Sequence, residues 1–253
     1  GGATSADLAG PAAEHDLALS TGDTSSVGIG GLTTGGGVGF MARKHGLAID
    51  NLLAAEVVTA SGEIVTADER SHPDLFWAIR GGGGNVGIVT EFTFRLASVP
   101  QILGGVLVQP ATREVVRGYL EAGLAAPDDL TTLAHIMPMP PLPFAPEAWV
   151  GKPVVLTLVT WSGDIEAGQE ALAPLRALAE PVAEMIAPMP YPAMYAFTDQ
   201  NTLPHGASIR MMFADDLSDH AIDTMVDAVH HASSEMSIIQ LRAMGGAFGR
   251  VPN

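Results

Sequence analysis

Residues 28–39 read Gly-Ile-Gly-Gly-Leu-Thr-Thr-Gly-Gly-Gly-Val-Gly, so that seven of the twelve residues are glycine. A glycine in an ordered segment costs roughly 0.5–1 kcal/mol relative to alanine, so the run indicates a backbone geometry or a close approach that side chains would block. Interleaved apolar residues (Val27, Ile29, Leu32, Val38 and Phe40) require burial and argue against a flexible linker. Exposed amides in such a loop can bind a pyrophosphate, and the nearby threonine and serine hydroxyls add donors.

Two familiar phosphate-binding motifs do not explain this run. The stretch Gly37–Ala42 fits the relaxed dinucleotide pattern G-x-G-x-x-A, but the residues before it, Leu32–Gly36, do not form the β-branched strand that the motif requires. The only Gly-Lys pair, Gly151-Lys152, is followed by Pro153 rather than by serine or threonine. A P-loop is therefore excluded.

Composition excludes several classes of protein. The net charge of −16 argues against a nucleic-acid partner, and no apolar run approaches the about 20 residues of a membrane span. The chain has no cysteine, which excludes disulfides, thiolate catalysis and cysteine-based zinc sites. A cytoplasmic location is expected, although a secreted protein without disulfides would look the same. No pair of histidines has metal-binding spacing, so no metal is expected.

The glycine and proline contents change near residue 100. The first 100 residues hold 18 of the 29 glycines and 3 of the 18 prolines. We place the boundary at Val99-Pro100-Gln101, with one domain at residues 1–100 and another at 101–253.

Strand-like and helix-like stretches alternate along the chain. In residues 1–100 the pattern predicts a helix from Ala6 ending near His15, a helix at Gly37–His45 stopped by a left-handed Gly46, a hairpin at Ala54–Ala60 and Glu63–Ala67, a helical turn at Asp74–Arg80 and a strand at Ile88–Leu96. In residues 101–253 it predicts strands at Gly104–Gln109, Thr131–Met137, Val154–Trp161, Ser208–Phe213 and Ser237–Met244, and helices at Arg113–Leu124, Glu166–Ala179 and Ser218–His231. The fold class is therefore α+β, with an antiparallel sheet carrying helices on one face in the second domain.

Spaced blocks in residues 1–100 resemble the berberine-bridge-enzyme-like flavin oxidases, which have the PCMH-type FAD-binding fold of the vanillyl-alcohol-oxidase superfamily. The blocks are Thr24–Leu32, Gly35–Gly39, Arg43–Leu47, Asp50–Leu53 and Pro73–Thr90. Residues 101–253 match that family's substrate domain more weakly. The family's first part of the FAD domain and its C-terminal segment have no counterpart here, so we interpret the chain as a fragment, with a partial FAD-binding lobe and a truncated substrate domain.

The resemblance implies FAD as the cofactor and a set of residues that contact it. The segment Thr24–Gly31 would wrap the pyrophosphate and ribityl chain, Gly35–Gly39 would pack beside it, and Gly84–Val89 would contact the cofactor through its backbone. The implied cofactor-binding residues are Thr24, Ser25, Ser26, Val27, Gly28, Gly30, Gly31, Gly35, Gly36, Gly39, Asn51, Gly84, Gly87, Ile88 and Val89. Asp50 and Asn51 have a second interpretation, in which they only brace the loop.

One departure from the family limits how the flavin can be attached. Thr24 stands where some members carry a flavin-linked cysteine, so a cysteinyl bond is impossible here. The family's other attachment point, a histidine after a glycine-rich turn, would lie upstream of Gly1.

Other polar and aromatic residues are weaker candidates. His135 and His205 could face a substrate, and Trp161, Tyr191 and Tyr195 could line an apolar pocket, but an ordinary structural role is the favoured interpretation of each of them. His230-His231 is interpreted as a helix end. No catalytic base can be named from the sequence.

The resemblance therefore predicts an FAD-dependent oxidase or dehydrogenase acting on CH–OH or CH–NH groups of a small molecule. A substrate hydride would pass to flavin N5, and dioxygen is the expected oxidant of the reduced flavin. Two alternatives remain open at this stage: a flavin-binding fragment without turnover, and a nicotinamide-dependent dehydrogenase.

Overall fold

A computed structural model describes residues 2–199, 206, 208–234 and 236–250, which divide into two compact units. The first unit contains residues 2–102, 189–199 and 245–250, and the second contains residues 103–188 with the described part of 203–244. The division after Ile102 lies close to the boundary at Val99–Gln101. Two segments from the second half of the chain nevertheless fold with the first unit.

The first unit combines short helices with two small sheets. Its elements are helices α1 (Ser5–Ala13), α2 (Ile29–Thr34), α3 (Ala42–His45) and α4 (Pro73–Ile79), and strands β1 (Leu17–Ala18), β2 (Leu52–Val58), β3 (Ile64–Asp68), β4 (Ile88–Phe94) and β5 (Ala97–Ser98). Short 3-10 helices lie at Ala48–Asn51, Gly83–Asn85, Tyr191–Phe197 and Gly246–Gly249. The antiparallel order β3-β2-β4 confirms the predicted hairpin, and β1 pairs with β5.

A small core fixes the sheet of the first unit. Val57 and Ala67 on β2 and β3 are fully buried, and α4 packs on them through Phe76 and Ile79. The strand β4 forms the other side of β2, with register shifts at Leu52/Ala54 and Glu56/Val57. These contacts bring the start of β4 beside the end of β2.

The second unit is a five-stranded sheet with helices packed on one face. Its strands are β6 (Ile102–Pro110), β7 (Leu130–Pro138), β8 (Pro153–Trp161), β9 (Ala183–Met189) and β10 (Ile239–Leu241), in the order β10-β7-β8-β6-β9. The strand pairs β10–β7, β7–β8 and β6–β8 are antiparallel. The helices are α5 (Arg113–Ala125), α6 (Ile165–Ala171), α7 (Ala173–Arg176) and α8 (Asp219–His230), and a 3-10 helix lies at Glu147–Trp149.

Alternation along the strands explains the one-sided helical layer. Successive side chains of a strand point to opposite faces of the sheet. Those on one face form a single apolar cluster with α5 and α8, and they include Leu103, Leu107, Val155 and Val159. Tyr119 of α5 is fully buried there, and its hydroxyl lies 3.2 Å from both the Thr132 hydroxyl and the Leu241 carbonyl. The predicted α+β class and antiparallel sheet are confirmed.

Several predicted elements were wrong in extent. The helix Glu166–Ala179 is two helices, because Pro174 has no N–H to continue the first one. Residues Gly37–His45 form a helix only from Ala42, and Gly46 combines a positive φ of 76° with ψ −167°, outside the left-handed helical region.

Other elements were missed or absent. The segment Ser208–Phe213 has no strand partner among the described residues, and its apolar side chains are exposed. The helix α2 within the glycine run, the strand β9 and the 3-10 helix Tyr191–Phe197 were not predicted, the last two because their prolines favour a loop interpretation.

Candidate functional site

The start of the glycine run is held along the N-terminal end of α1. The Ile29 amide donates to the Ala3 carbonyl at 2.9 Å, and the Ser5 amide donates to the Val27 carbonyl at 2.9 Å. Gly28 forms an isolated antiparallel β-bridge with Thr4 and is the N-cap residue of α2. The loop is therefore an ordered part of the first unit.

The two glycine runs meet in the structure. The Gly81 amide donates to the Thr34 carbonyl at the end of α2, at 3.0 Å. On the other side of α2, a Cβ placed on Gly30 would lie 3.8 Å from the Phe92 ring of β4. Residues 28–34 and 81–92, which are separated in the sequence, thus form one continuous surface.

Some of the predicted glycines are required by packing or by backbone conformation within the protein. A Cβ on Gly39 would lie 2.8 Å from the Ser20 hydroxyl oxygen. Gly87 has φ +155°, and a Cβ there would lie 2.7 Å from a Val57 methyl carbon. A Cβ on Gly35 would lie 3.3 Å from the Gly31 carbonyl oxygen, and Gly36 is buried with φ +128°. The protein's own structure therefore accounts for glycine at these four positions.

Other predicted glycines face open space. A Cβ on Gly31 or Gly84 would meet no atom within 4 Å, and one on Gly28 would only just reach the Ala3 carbonyl at 4.0 Å. Neither close packing nor a positive φ requires glycine at these three positions. Backbone that carries no side chain and faces open space can be approached closely by a flat or phosphorylated ligand.

An apolar groove lies beside this surface. It has a volume of about 610 Å³ and runs between α1, the start of α2 and the edge of β4. Leu8, Ile29, Phe92 and Phe94 line it, with Asp7, His15 and Glu91 as its ionisable residues. Gly30 and Val89 are the predicted cofactor-binding residues that reach it.

The remaining predicted residues differ in their surroundings. Ser26, Val27 and Ile88 are exposed, and Thr24 is half-buried with its hydroxyl donating to Asp23 Oδ1 at 3.3 Å. The Asn51 side-chain amide donates to the carbonyls of His45 and Leu47 at 2.7 and 3.0 Å, contacts that agree with its second interpretation, while its contact with a cofactor stays a prediction.

The segment 191–199 was missed as part of this unit. The Ser25 amide donates to Asp199 Oδ1 at 2.9 Å, and the Tyr195 hydroxyl lies 3.1 Å from that of Thr21. These partners are 174 residues apart, and no pattern in a single sequence indicates such a contact.

The aromatic candidates are core residues. Trp161 is buried in the second unit and donates its indole N–H to the Asp164 carbonyl at 2.7 Å. Burial raises the pKa of the Tyr191 and Tyr195 hydroxyls above their ordinary value of 10.0, which keeps them neutral. Neither tyrosine is therefore a base at neutral pH.

Histidines have varied positions. His135 lies on β7, buried, with Nε2 3.0 Å from the Gln240 side-chain nitrogen. His231 ends α8 with Nδ1 2.8 Å from the Asp227 carbonyl, and His205 lies outside the described residues. Among residues 2–199, 206, 208–234 and 236–250, no cluster of histidine and carboxylate side chains has the arrangement of a metal site.

None of the helices in that same part of the chain is long and apolar enough to cross a membrane.

Comparisons with known proteins agree on one cofactor. Residues 1–68 match a family described as an FAD binding domain. The chain is 35% identical over 202 residues to the (R)-6-hydroxynicotine oxidase of Paenarthrobacter nicotinovorans. The aligned region covers 78% of this chain and 42% of that protein.

Solved structures extend the likeness to both units. The glucooligosaccharide oxidase of Acremonium strictum, described with a 6-S-cysteinyl, 8α-N1-histidyl FAD, superposes with a TM-score of 0.75 at 25% identity over 98% of this chain and 54% of that one. A berberine-bridge-enzyme-like protein of Arabidopsis thaliana shares the fold, with a TM-score of 0.76 at 24% identity over 96% of this chain and 52% of that one. The chain spans about half the length of the proteins it matches.

Proposed function

We propose that the chain belongs to the PCMH-type FAD-linked oxidases that include the berberine-bridge-enzyme-like proteins, and that its first unit binds FAD as part of an oxidoreductase. The observation that carries the proposal is the open backbone at Gly28, Gly31 and Gly84, where a Cβ would meet at most one protein atom within 4 Å. The match of residues 1–68 to an FAD binding domain supports the same cofactor.

The residues present fit such a group. Gly28 and Gly31 would allow the cofactor to approach the backbone, while the hydroxyls of Thr24 and Ser26 would donate hydrogen bonds to its phosphate or ribityl oxygens. Gly84 and the backbone of Ile88-Val89 would complete the surface on the side of β4. Gly39 and Gly87 would act indirectly, because their role is to let the loop pack.

Bound FAD would supply the redox chemistry, taking a hydride from a substrate carbon, and the protein would supply position and electrostatics. Because the chain has no cysteine, a cysteinyl link of the kind described for the glucooligosaccharide oxidase is impossible.

The proposed reaction is the oxidation of a CH–OH or CH–NH group of a small molecule. The names of two relatives support it, since one is a hydroxynicotine oxidase and the other an oligosaccharide oxidase. The same names disfavour a nicotinamide-dependent dehydrogenase. A flavin-binding chain without turnover is the competing outcome, and it concerns this chain rather than its family.

Anaerobic mixing separates the two outcomes. The chain loaded with FAD is mixed with a panel of alcohols, sugars and amines, and the visible absorbance of the flavin is recorded before and after dioxygen is admitted. Bleaching by a member of the panel, followed by recovery with hydrogen peroxide formation, supports the oxidase. A bound flavin that no member bleaches supports binding without turnover.

We further propose that the partners are small molecules and not nucleic acid, since a net charge of −16 repels phosphate backbones. The proposed compartment is the cytoplasm, which agrees with a chain without cysteine. Fractionation of cells that express the natural gene tests the location.

A further inference from the structure

The loop that leads into the glycine run is held by a distant segment at three alternate residues. The Tyr195 hydroxyl lies 3.1 Å from the Thr21 hydroxyl, and the Thr198 hydroxyl donates to the Asp23 carbonyl. Asp199 Oδ1 accepts from the Ser25 amide at 2.9 Å. We call Tyr195, Thr198 and Asp199 the clamp.

The clamp is anchored in the core of the first unit. Tyr195 is 3% exposed and packs edge-on against Tyr191 with ring centroids 5.9 Å apart, and Phe40 lies on its other side at 6.2 Å. Met194, one residue before it, is fully buried. The clamp therefore presents its polar atoms from a rigid base.

The loop 21–25 has no helix or strand of its own. The clamp hydrogen-bonds to the Thr21 side chain and to the backbone of Asp23 and Ser25. These bonds take the place of the backbone hydrogen bonds that a helix or strand would provide. A loop that is already ordered loses less conformational entropy when a ligand binds, and this strengthens binding.

We propose that Tyr195, Thr198 and Asp199 are positioning residues that hold the loop 21–25 in the conformation in which residues 24–31 receive FAD. The inference rests on the proposed function for its cofactor, whereas the ordering of the loop can be measured without one. A clamp with a purely structural role would change the stability of the protein and leave the properties of bound flavin as they were.

The first test replaces Thr198 in two ways. Thr198→Val removes the hydroxyl and keeps the shape, while Thr198→Ser keeps the hydroxyl. We expect Thr198→Val to raise the Kd for FAD by about tenfold and to shift the visible spectrum of the bound flavin, and Thr198→Ser to restore both. Thr224→Val is the matched control, since the Thr224 hydroxyl bonds only to the His220 carbonyl of its own helix, at 2.8 Å, in the second unit.

The second test measures the loop in the protein without flavin. Hydrogen exchange at the Ser25 amide is expected to accelerate in Asp199→Ala and to stay slow in Asp199→Asn, whose side-chain oxygen still accepts a hydrogen bond. Circular dichroism shows whether each variant is folded, and Asp199→Asn keeps the test available if the alanine variant does not fold.

Two results would overturn the proposal. One is a Thr198→Val protein with the same FAD affinity and flavin spectrum as Thr224→Val, and the other is unchanged exchange at Ser25 in a folded Asp199→Ala protein. If the unmodified chain binds no FAD while the exchange results are as expected, the proposed function fails and the ordering of the loop stands.

Discussion

Individual glycines in the first unit serve two physical purposes. At Gly37, φ is +84° and a Cβ would lie 2.5 Å from the Ala48 methyl carbon, so the residue is needed for the protein's own packing. Gly31 lies in α2, and a Cβ there would meet nothing within 4 Å. Neither packing nor a positive φ therefore requires glycine at position 31, which agrees with the proposal that a ligand approaches the backbone there.

This contrast predicts opposite effects of the same substitution. Gly37→Ala is expected to lower the free energy of unfolding by about 2–4 kcal/mol, from a positive φ and a steric clash. Gly31→Ala is expected to leave that free energy unchanged or raise it by up to about 1 kcal/mol through helix propensity, while it weakens FAD binding. Urea denaturation and flavin titration measure the two quantities.

Gly10→Ala is the control for both substitutions. Gly10 lies in α1, and a Cβ there also meets no atom within 4 Å, but it is not among the predicted cofactor residues. It should stabilise the protein as Gly31→Ala does and leave FAD affinity unaltered. Equal FAD affinity in Gly31→Ala and Gly10→Ala would remove Gly31 from the site.

The density of glycine predicted close backbone approach, and the resemblance predicted FAD. The sequence could not predict which glycines are needed for packing. The atoms that crowd Gly39 and Gly87 belong to Ser20 and Val57, which come close only when the chain folds. Asn51 illustrates the same limit, since its bracing bonds depend on the turn at His45 and Leu47.

At the level of elements, α1 supports the glycine loop through its first turn. The Thr4 hydroxyl accepts from the Asp7 amide at 3.3 Å, and Asp7 accepts in return from the Thr4 amide at 2.8 Å, which forms a capping box. Those hydrogen bonds lower the pKa of Asp7 below its ordinary value of 3.8.

The capping box predicts a stability that depends on pH. Because the pKa of Asp7 is lower in the folded state, its contribution is complete above 3.8 and is lost as the pH falls through the folded value. The melting temperature of Asp7→Asn should therefore lie below that of the unmodified protein at pH 6 and converge with it in stronger acid. Thr4→Ala should cost about 1 kcal/mol at neutral pH. A difference that persists unchanged below the folded pKa would refute the ionic contribution of Asp7.

Elements with a clear local pattern were predictable, and those fixed by distant partners were not. The helix α5 was predicted almost to the residue from its apolar spacing, and Ser218, where the predicted helix Ser218–His231 begins, is the N-cap of α8. The strand β9 contains Pro188 and is defined by its neighbour β6, where Gly105 with φ +144° allows the Met185 carbonyl to approach. Ser208–Phe213 shows the converse, since its strand-like pattern finds no partner strand in the part of the chain that the structure describes.

At the scale of the whole molecule, the charge of −16 opposes the binding of any phosphorylated ligand. Because the FAD pyrophosphate is itself anionic, the long-range electrostatic interaction between the chain and FAD is repulsive, and salt screens it. The short-range contacts of the site must therefore outweigh it.

Salt should accordingly strengthen the complex. We expect the Kd for FAD to fall several-fold between about 20 mM and about 200 mM ionic strength, because the Debye length shortens over that range. Fluorescence titration at a series of NaCl concentrations measures the effect, and riboflavin, which lacks the phosphates, serves as the uncharged comparison. A Kd that rises with salt would indicate a basic site instead.

Titration of the purified chain with FAD, followed through the visible flavin spectrum, shows whether the open backbone of the two glycine runs receives FAD. The titration is made with the unmodified protein and with Gly31→Val. We expect saturable binding of one FAD per chain with a perturbed spectrum, and weaker binding to a folded Gly31→Val protein. An unmodified chain that is folded and leaves the flavin spectrum unchanged would contradict it.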